Sequence, residues 1–180
     1  MSKFYTYIDE KLQDFIERQK LFFVGTAGSE GRVNVSPKGM DSLRILDANR
    51  LIWLNLTGSG NETAAHVLED PRMTLMFCSF EGSPLILRVY GKARAIHPRD
   101  EEWADYISRF PDFPGSRQMF LLDVESAQTS CGFAVPNFKY EGDRHDLVHW
   151  SEKIGEEGVK NYWKEKNQQS IDGKPTEIIK

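Results

Sequence analysis

Residues 21–56 of the chain read LFFVGTAGSEGRVNVSPKGMDSLRILDANRLIWLNL. Two β-rich runs, residues 21–26 and 33–38, flank the turn-prone sequence Gly-Ser-Glu-Gly at 28–31, and the second run alternates apolar and polar residues. Residues 43–56 repeat this arrangement around an Asp-Ala-Asn-Arg turn, in which the Asp and Asn side chains can bond nearby backbone groups. The stretch therefore predicts two consecutive β-hairpins.

Further β-rich runs follow toward the carboxyl terminus. Residues 73–80 and 85–96 surround a Glu-Gly-Ser-Pro turn, and residues 119–129 alternate again. About six β-runs joined mostly by tight turns favour an antiparallel barrel, because a doubly wound fold would alternate strands and helices more evenly. The predicted fold class is mainly β with flanking helices, built on a six-stranded antiparallel barrel.

The remaining segments predict helices around this barrel. An amphipathic pattern predicts a first helix over residues 5–19, and residues 99–110 also have a helical pattern. Spaced apolar and aromatic residues near the carboxyl terminus predict a helix and tail over residues 151–180. A length of 180 residues is typical of a single domain, so we expect one domain over residues 1–180.

Composition limits the classes of partner. A net charge of −4 gives no general attraction to nucleic acid or to anionic membranes, and the apolar runs are too short to cross a bilayer. The amino-terminal residues lack an apolar stretch followed by a small-residue cleavage site, which predicts a cytoplasmic protein.

Neither a metal site nor covalent catalysis is expected. The only two cysteines, Cys78 and Cys131, form no metal-binding pair, and a nucleophilic Cys131 would need a neighbouring base that the sequence does not reveal. His145 and His149 are close in sequence, but a polar surface explains them better than metal ligation does.

The segment from Asn55 to His66, NLTGSGNETAAH, has the character of a phosphate-binding loop before a helix. Small residues allow close backbone approach, and unpaired amides at the start of the helix can donate to a phosphate. An ordinary capped helix after a glycine loop is the alternative, and the segment alone favours it. The candidate binding residues are Asn55, Thr57, Ser59, Gly60, Asn61, Glu62 and Thr63.

Two further positions carry positive charge where an anion could use it. Lys38 follows Ser36 and Pro37 at the end of a strand, and a solvated lysine is the alternative there. Arg88 lies among apolar residues, where burying a guanidinium is costly without an anionic or carbonyl partner. A structural salt bridge explains Arg88 equally well.

Taken together, these segments resemble the pyridoxamine 5'-phosphate oxidase-like split-barrel family, which binds flavin mononucleotide (FMN). The likeness rests on the order of Val-Ser-Pro-Lys-Gly at 35–39, Asn-Leu-Thr-Gly-Ser-Gly-Asn-Glu-Thr at 55–63 and Asp-Pro-Arg at 70–72. A subgroup of uncharacterised members is similar also in Ser-Cys-Gly-Phe-Ala-Val-Pro at 130–136 and in Ser-Ile-Asp-Gly at 170–173.

The resemblance implies a split barrel that forms a homodimer with FMN at the interface. It implies that Ser36, Pro37 and Lys38 lie along the flavin and that the loop before the helix lines the phosphate and ribityl end. Arg88 would reach in from a neighbouring strand. The second subunit would contribute Cys131, Gly132, Val135, Pro136 and Trp150.

The activity that this family suggests is flavin-dependent oxidoreduction of a small-molecule substrate, with a nicotinamide as one electron donor. The alternative is a non-catalytic protein that holds flavin, or haem through a histidine such as His66 or His149, on the same barrel. This chain has Gly60, Asn61 and Glu62 where the vitamin B6 oxidases proper carry a basic stretch. We therefore expect FMN binding but not vitamin B6 oxidation itself.

Overall fold

A computed structural model describes residues 2–180, so that Met1 of the predicted domain lies outside the described residues. No helix within residues 2–180 is both long and apolar enough to span a bilayer. The strands are β1 (Lys3–Tyr5), β2 (Phe22–Thr26), β3 (Asn34–Lys38), β4 (Leu43–Asp47), β5 (Arg50–Leu56), β6 (Arg72–Cys78), β7 (Ile86–Ile96) and β8 (Ser116–Ser130). The helices are α1 (Glu10–Arg18), α2 (Glu62–Glu69), α3 (Trp103–Ile107) and α4 (Asp146–Lys166).

All strands belong to one antiparallel sheet in the order β3-β2-β6-β7-β8-β5-β4, with β1 paired to β8. The predicted hairpins are confirmed as the antiparallel pairs β2–β3, β4–β5 and β6–β7. The two edge strands, β3 and β4, are joined by the turn at residues 39–42. The fold class is therefore as predicted, a mainly β antiparallel split barrel with flanking helices.

The predicted number of strands is wrong, because the sheet has eight strands rather than six. One strand that the sequence pattern does not reveal is β1, whose three residues are too short for a recognisable alternation. It pairs with the distant end of β8, Lys3 opposite Thr129. The first helix accordingly begins at Glu10, where the Asp9 side chain caps it by accepting from the Leu12 amide at 3.0 Å.

The sheet curls around an apolar core on its inner face. Residues paired across neighbouring strands point to the same side. One such row contains Val24, Leu75, Val89 and Ala127, which are fully buried. Leu12, Phe15 and Ile16 of α1 cover this core. A second cluster, around Ile52, Leu54, Met119 and Leu121, lies on the other side of β5 and β8 and packs beneath α3.

The adjacent row across the same strands points outward. It contains Pro37, Phe23, Met76, Arg88 and Gln128, and ends at the exposed Phe4. Lys38 instead pairs with the buried Phe22 and therefore points inward.

An irregularity in β8 keeps these two faces consistent along its length. Tyr90 pairs with Ser126 but Gly91 pairs with Val124, which leaves Glu125 as one extra residue. Gly91 is required here because a Cβ atom at this position would lie 2.0 Å from the Asp123 carbonyl oxygen. The extra residue is a β-bulge of the kind that bends long strands.

The carboxyl-terminal segment folds back over one end of the barrel. Helix α4 is kinked at Gly155, whose φ of 70° is outside the helical range. Its second half packs through Val159 and Trp163 against Ile178 of the tail. Between the end of α4 and Ile178, the chain turns back on itself, and an isolated β-bridge joins Gln169 to Pro175.

Candidate functional site at the barrel end

Lys38 lies where the open edge of the barrel meets β5. Its Nζ donates to Asn55 Oδ1 at 3.3 Å, and it sits 5.2 Å from the centre of the Trp53 ring. Burial, together with the nearby Arg117 guanidinium, lowers the pKa of Lys38 to about 8. The lysine therefore carries a charge that its surroundings only partly stabilise.

Arg117 supplies a second cation at the same end, and its side chain is more deeply buried than that of the half-buried Lys38. Arg117 is 2% exposed, and its Nη1 donates to the Gly60 carbonyl at 3.0 Å. Its Nε has no hydrogen-bond partner among residues 2–180, and burial lowers the pKa of the guanidinium to about 10. Sequence reasoning missed Arg117, although an Arg-Gln pair opening an apolar strand offers the same signal that singled out Arg88.

The two cations lack an anionic partner within the chain. Within residues 2–180, neither Lys38 nor Arg117 forms an ion pair with a carboxylate. Buried charges are ordinarily paired, because leaving water without a counter-charge is costly. Two like charges held together in this way form a site that favours an anion.

Asn61 begins α2 without capping it. The side-chain Oδ1 accepts from Gln118 Nε2 at 2.7 Å, and Nδ2 donates to the Asn167 carbonyl at 3.4 Å. As the N-cap residue it makes no side-chain bond to the first turn of α2. Asn61 therefore leaves the amides of that turn without a side-chain cap.

Thr57 is already satisfied within the chain. Its hydroxyl donates to the Gly115 carbonyl at 2.7 Å and accepts from Trp163 Nε1 at 2.8 Å. The loop that follows exposes Ser59 and Gly60. Thr57 thus anchors the start of the loop to α4 and to the segment before β8.

Glu62 and Thr63 also bond within the chain. The Glu62 carboxylate accepts from the Ile171 amide at 3.1 and 3.0 Å. The Thr63 hydroxyl accepts from Asn34 Nδ2 at 3.3 Å. The structure therefore gives Glu62 a partner in the tail, and the acidic residue is turned to the side of the helix that the tail covers.

The structure separates the two positive positions that the sequence singled out. Arg88 lies in the outward row, where its Nη1 donates to Ser130 Oγ at 3.3 Å, and Pro37 belongs to the same row. Ser36, in contrast, points inward, and its buried Oγ has no hydrogen-bond partner among residues 2–180. Within one chain, Arg88 and Lys38 lie on opposite faces of the sheet.

The candidates from the second half of the chain lie apart from this network. Gly132, with a φ of 65°, lies against the backbone of Leu85, and its carbonyl accepts from the Val135 amide at 2.9 Å. Cys131 and Pro136 are exposed, and Trp150 packs edge-on against Tyr162 of α4. Within residues 2–180, none of these side chains hydrogen-bonds to the groups around Lys38 and Arg117.

The histidines are not arranged as metal ligands. In the part of the chain that the structure describes, no three His, Cys, Asp or Glu residues are close enough to hold a metal ion. His66 is 1% exposed, with Nδ1 3.0 Å from Thr26 Oγ1. His145 and His149 have ring centres 6.1 Å apart at the start of α4.

The polar atoms left over at the barrel end fit the phosphate and sugar-alcohol end of a flavin nucleotide. The donors Ser36 Oγ and Arg117 Nε are buried without partners, and both suit a phosphate oxygen. The acceptor Gln118 Oε1 is equally unpartnered within residues 2–180, and a hydroxyl group would satisfy it. The residues present therefore fit FMN, the cofactor that the resemblance to the split-barrel family implies.

Comparison with solved structures gives the same fold. A Lactobacillus delbrueckii protein named after pyridoxamine 5'-phosphate oxidase is 21% identical, with a TM-score of 0.55 over 68% of this chain and 94% of that one. A variant of HupZ of Group A Streptococcus is 22% identical, with a TM-score of 0.53 over 68% of this chain and 99% of that one. An FAD binding protein of Mycobacterium smegmatis is 11% identical, with a TM-score of 0.52 over 71% of this chain and 98% of that one.

Comparison of sequences goes further than the fold. The pyridoxamine 5'-phosphate oxidase family protein ustO of Aspergillus flavus is 40% identical over an alignment of 141 residues that covers 76% of this chain. The chain spans only 57% of the length of that relative. Residues 8–131 match the sequence model of the family described as pyridoxamine 5'-phosphate oxidase. The chain therefore belongs to the pyridoxamine 5'-phosphate oxidase family.

Proposed function

We propose that this chain binds FMN, with the phosphate between Lys38, Arg117 and the first turn of α2. The observation that carries the proposal is a buried guanidinium beside a half-buried ammonium, neither of which has a carboxylate partner within residues 2–180. A phosphate dianion would neutralise both charges and accept from the uncapped amides at the same time.

Each wall of the site has a separate task in binding. Lys38 and Arg117 provide charge, and Ser36 Oγ and the backbone of residues 59–63 provide neutral donors. Asn55 orients the Lys38 ammonium through its Oδ1. When bound, FMN would supply electron or hydride transfer, and the protein would supply position and exclusion of water.

We propose further that two copies of the chain complete each site. Arg88 and Pro37 lie on the outward face, beside the exposed Phe4 and Val35, so that they can serve only a flavin held by another copy. An arginine in a mostly apolar surface row is well suited to an interface that also contains an anionic ligand. The loop with Cys131, Gly132, Val135 and Pro136, together with Trp150, is proposed to approach the partner's flavin.

Binding is tested by titrating the purified protein with FMN and following quenching of the flavin fluorescence. Wild type should bind, and Lys38→Met should bind at least about tenfold more weakly, since one charge-assisted contact contributes about 1.5–3 kcal/mol. Lys11→Met, on the exposed side of α1, is the matched control and should bind like wild type. Failure of wild type to bind FMN would refute the proposal.

Sharing of the site between two copies is tested by mixing two defective variants. Lys38→Ala and Arg88→Ala should each bind FMN weakly as homodimers. In a mixed dimer, one of the two sites would regain an intact Lys38 and an intact Arg88. After exchange of equal amounts of the two variants about half of the dimers are mixed, so recovery of tight binding to about one quarter of all sites supports the shared site, and no recovery contradicts it.

The proposed activity is flavin-dependent oxidoreduction of a small molecule, with a nicotinamide as the first electron donor to test. Cys78 and Cys131 are free thiols, which suits a reducing compartment such as the cytoplasm. Anaerobic bleaching of the flavin absorbance by NADH or NADPH would support the activity. Tight FMN binding without reduction by either donor would instead favour a protein that only holds the flavin, and a Soret band on adding haem would favour haem.

A further inference from the structure

Residues 167–176, here called the C-terminal strap, clasp the loop that leads into α2. Asn167 forms one end of the clasp, and Ile171 donates its amide to Glu62 in the middle. Asp172 accepts from the Arg32 amide at 2.8 Å and pairs with its guanidinium. Lys174 pairs with Glu69 and donates to the Glu30 carbonyl at 2.8 Å. The strap therefore joins the loop before α2 to the β2–β3 turn.

The strap has a defined shape of its own. Besides the bridge from Gln169 to Pro175, the Ser170 amide donates to the Lys174 carbonyl at 2.8 Å, and the Gly173 amide donates to the Ser170 carbonyl at 2.9 Å. Thr176, which is 1% exposed, donates its hydroxyl to the Asn167 carbonyl at 2.5 Å. These bonds make the strap a closed turn instead of a loose tail.

Asn167 is the point where the strap meets the proposed phosphate loop. It is completely buried, and its Nδ2 donates to the Gly58 carbonyl at 3.1 Å and to the Ser59 carbonyl at 3.4 Å. Its backbone carbonyl accepts from Asn61 Nδ2. One residue thus holds two carbonyls of the loop and the side chain at the start of α2.

These bonds have a consequence for anion binding. Because Asn61 is engaged by Gln118 and by Asn167, it does not cap α2, and the first-turn amides remain for another acceptor. The loop contains two glycines, so ordering it on binding would otherwise cost about 1–2 kcal/mol for each residue fixed. A loop that is ordered beforehand binds its ligand more tightly.

We propose that Asn167 is a positioning residue that, through the C-terminal strap, presets residues 58–61 for the phosphate group of FMN. This inference rests on the proposed FMN site. It also assigns a task to Glu62, which fastens the strap through the Ile171 amide instead of contacting the phosphate. The strap takes the place of the positive charge at the helix start in holding this loop ready.

The test compares Asn167→Ala with Gln168→Ala. Gln168 is the adjacent residue, and within residues 2–180 its exposed side chain bonds only to the Lys164 carbonyl in the last turn of α4. Each variant is titrated with FMN and, by displacement, with riboflavin, which lacks the phosphate. Asn167→Ala should bind FMN about tenfold more weakly, as expected for one or two lost hydrogen bonds, and riboflavin within about twofold of wild type. Gln168→Ala should match wild type for both ligands.

Amide hydrogen exchange without flavin tests the positioning independently of the proposed function. Residues 58–63 should exchange at least about tenfold faster in Asn167→Ala than in wild type, because the loop opens locally. Asp172→Ala, which removes a surface anchor of the strap, should change exchange and FMN affinity in the same direction by a smaller factor. It also provides the test if Asn167→Ala does not fold.

The outcomes separate the two proposals. If wild type fails to bind FMN, the proposed function is wrong. If wild type binds FMN but Asn167→Ala keeps its ratio of FMN to riboflavin affinity, the positioning role is wrong. An increase in FMN affinity on weakening the strap would also overturn it, because the strap would then compete with the phosphate.

Discussion

Strands β5 and β8 are apolar along one part and polar at one end, although the side chains concerned point to the same face. Trp53 lies opposite Phe120, with ring centres 4.7 Å apart, and two residues further along Asn55 lies opposite Gln118. The aromatic pair belongs to a packed core. The amide pair meets Lys38 and Asn61 and leaves Gln118 Oε1 without a partner. The packed aromatic part of the two strands thus holds in place a polar end whose hydrogen-bonding groups are not all paired in the free chain.

Phe120→Ala should have the largest effect, and it addresses the apolar part. Phe120 is fully buried and stacks on Trp53, so its truncation should lower the free energy of unfolding by about 3–5 kcal/mol. Chemical denaturation measures this loss. A loss of unfolding free energy below about 1 kcal/mol would mean that the aromatic part of β5 and β8 is not the tightly packed part.

Lys38→Met addresses the polar end and should separate stability from binding. At neutral pH the variant should be at least as stable as wild type, because it removes a buried charge that lies beside another cation. FMN affinity should fall at least about tenfold, equivalent to about 1.4 kcal/mol. Denaturation and titration of the same sample test both statements, and a loss of stability would indicate that Lys38 supports the fold.

The pH dependence of stability should reveal the same lysine. Below pH 8 both folded and unfolded chains carry the Lys38 charge, and the folded state bears the full cost of burying it. Between pH 8 and the ordinary lysine pKa of about 10.4, the unfolded chain binds a proton that the folded chain has released, so stability rises with pH. Relative to Lys38→Met, wild type should gain about 3 kcal/mol across this range. Parallel curves for the two proteins would contradict the lowered pKa.

Arg88→Ala should have the smallest effect on the fold. The side chain lies on the outward face and bonds only to Ser130 Oγ within residues 2–180, so the free energy of unfolding should change by less than about 0.5 kcal/mol. Thermal denaturation at low protein concentration measures this. A larger loss would mean that Arg88 is a structural residue of the barrel wall.

The sequence predicts those parts of the fold that local patterns determine. Residues 21–26 and 33–38 alternate around a glycine turn, and that information is sufficient for a hairpin. In β1, by contrast, the strand exists only because β8 offers a free edge to Lys3–Tyr5. No local pattern encodes that pairing.

The candidate site shows the same limit. Lys38 and the loop before α2 were predicted because charge and glycines are visible in the sequence. Arg117 and Asn167 were missed because each is buried by segments far away along the chain, Gly60 in one case and Gly58 and Ser59 in the other. The polar composition of residues 167–176 is that of a solvated tail, and only the folded arrangement gives it partners.

The bulge at Glu125 acts on side chains as a reading-frame shift acts on codons. Before it, Phe120 and Leu122 face the core, and after it the inward positions are Ala127 and Thr129. If Glu125 were an ordinary strand residue instead of a bulge, regular alternation from Leu122 would turn Ser126 and Gln128 into the barrel. The row that presents Arg88 outward would then lose its neighbour Gln128. Deleting Glu125 would remove the bulge and the shift together and would keep Ala127 and Thr129 inward. The bulge at this one residue therefore determines which side chains the end of β8 turns outward.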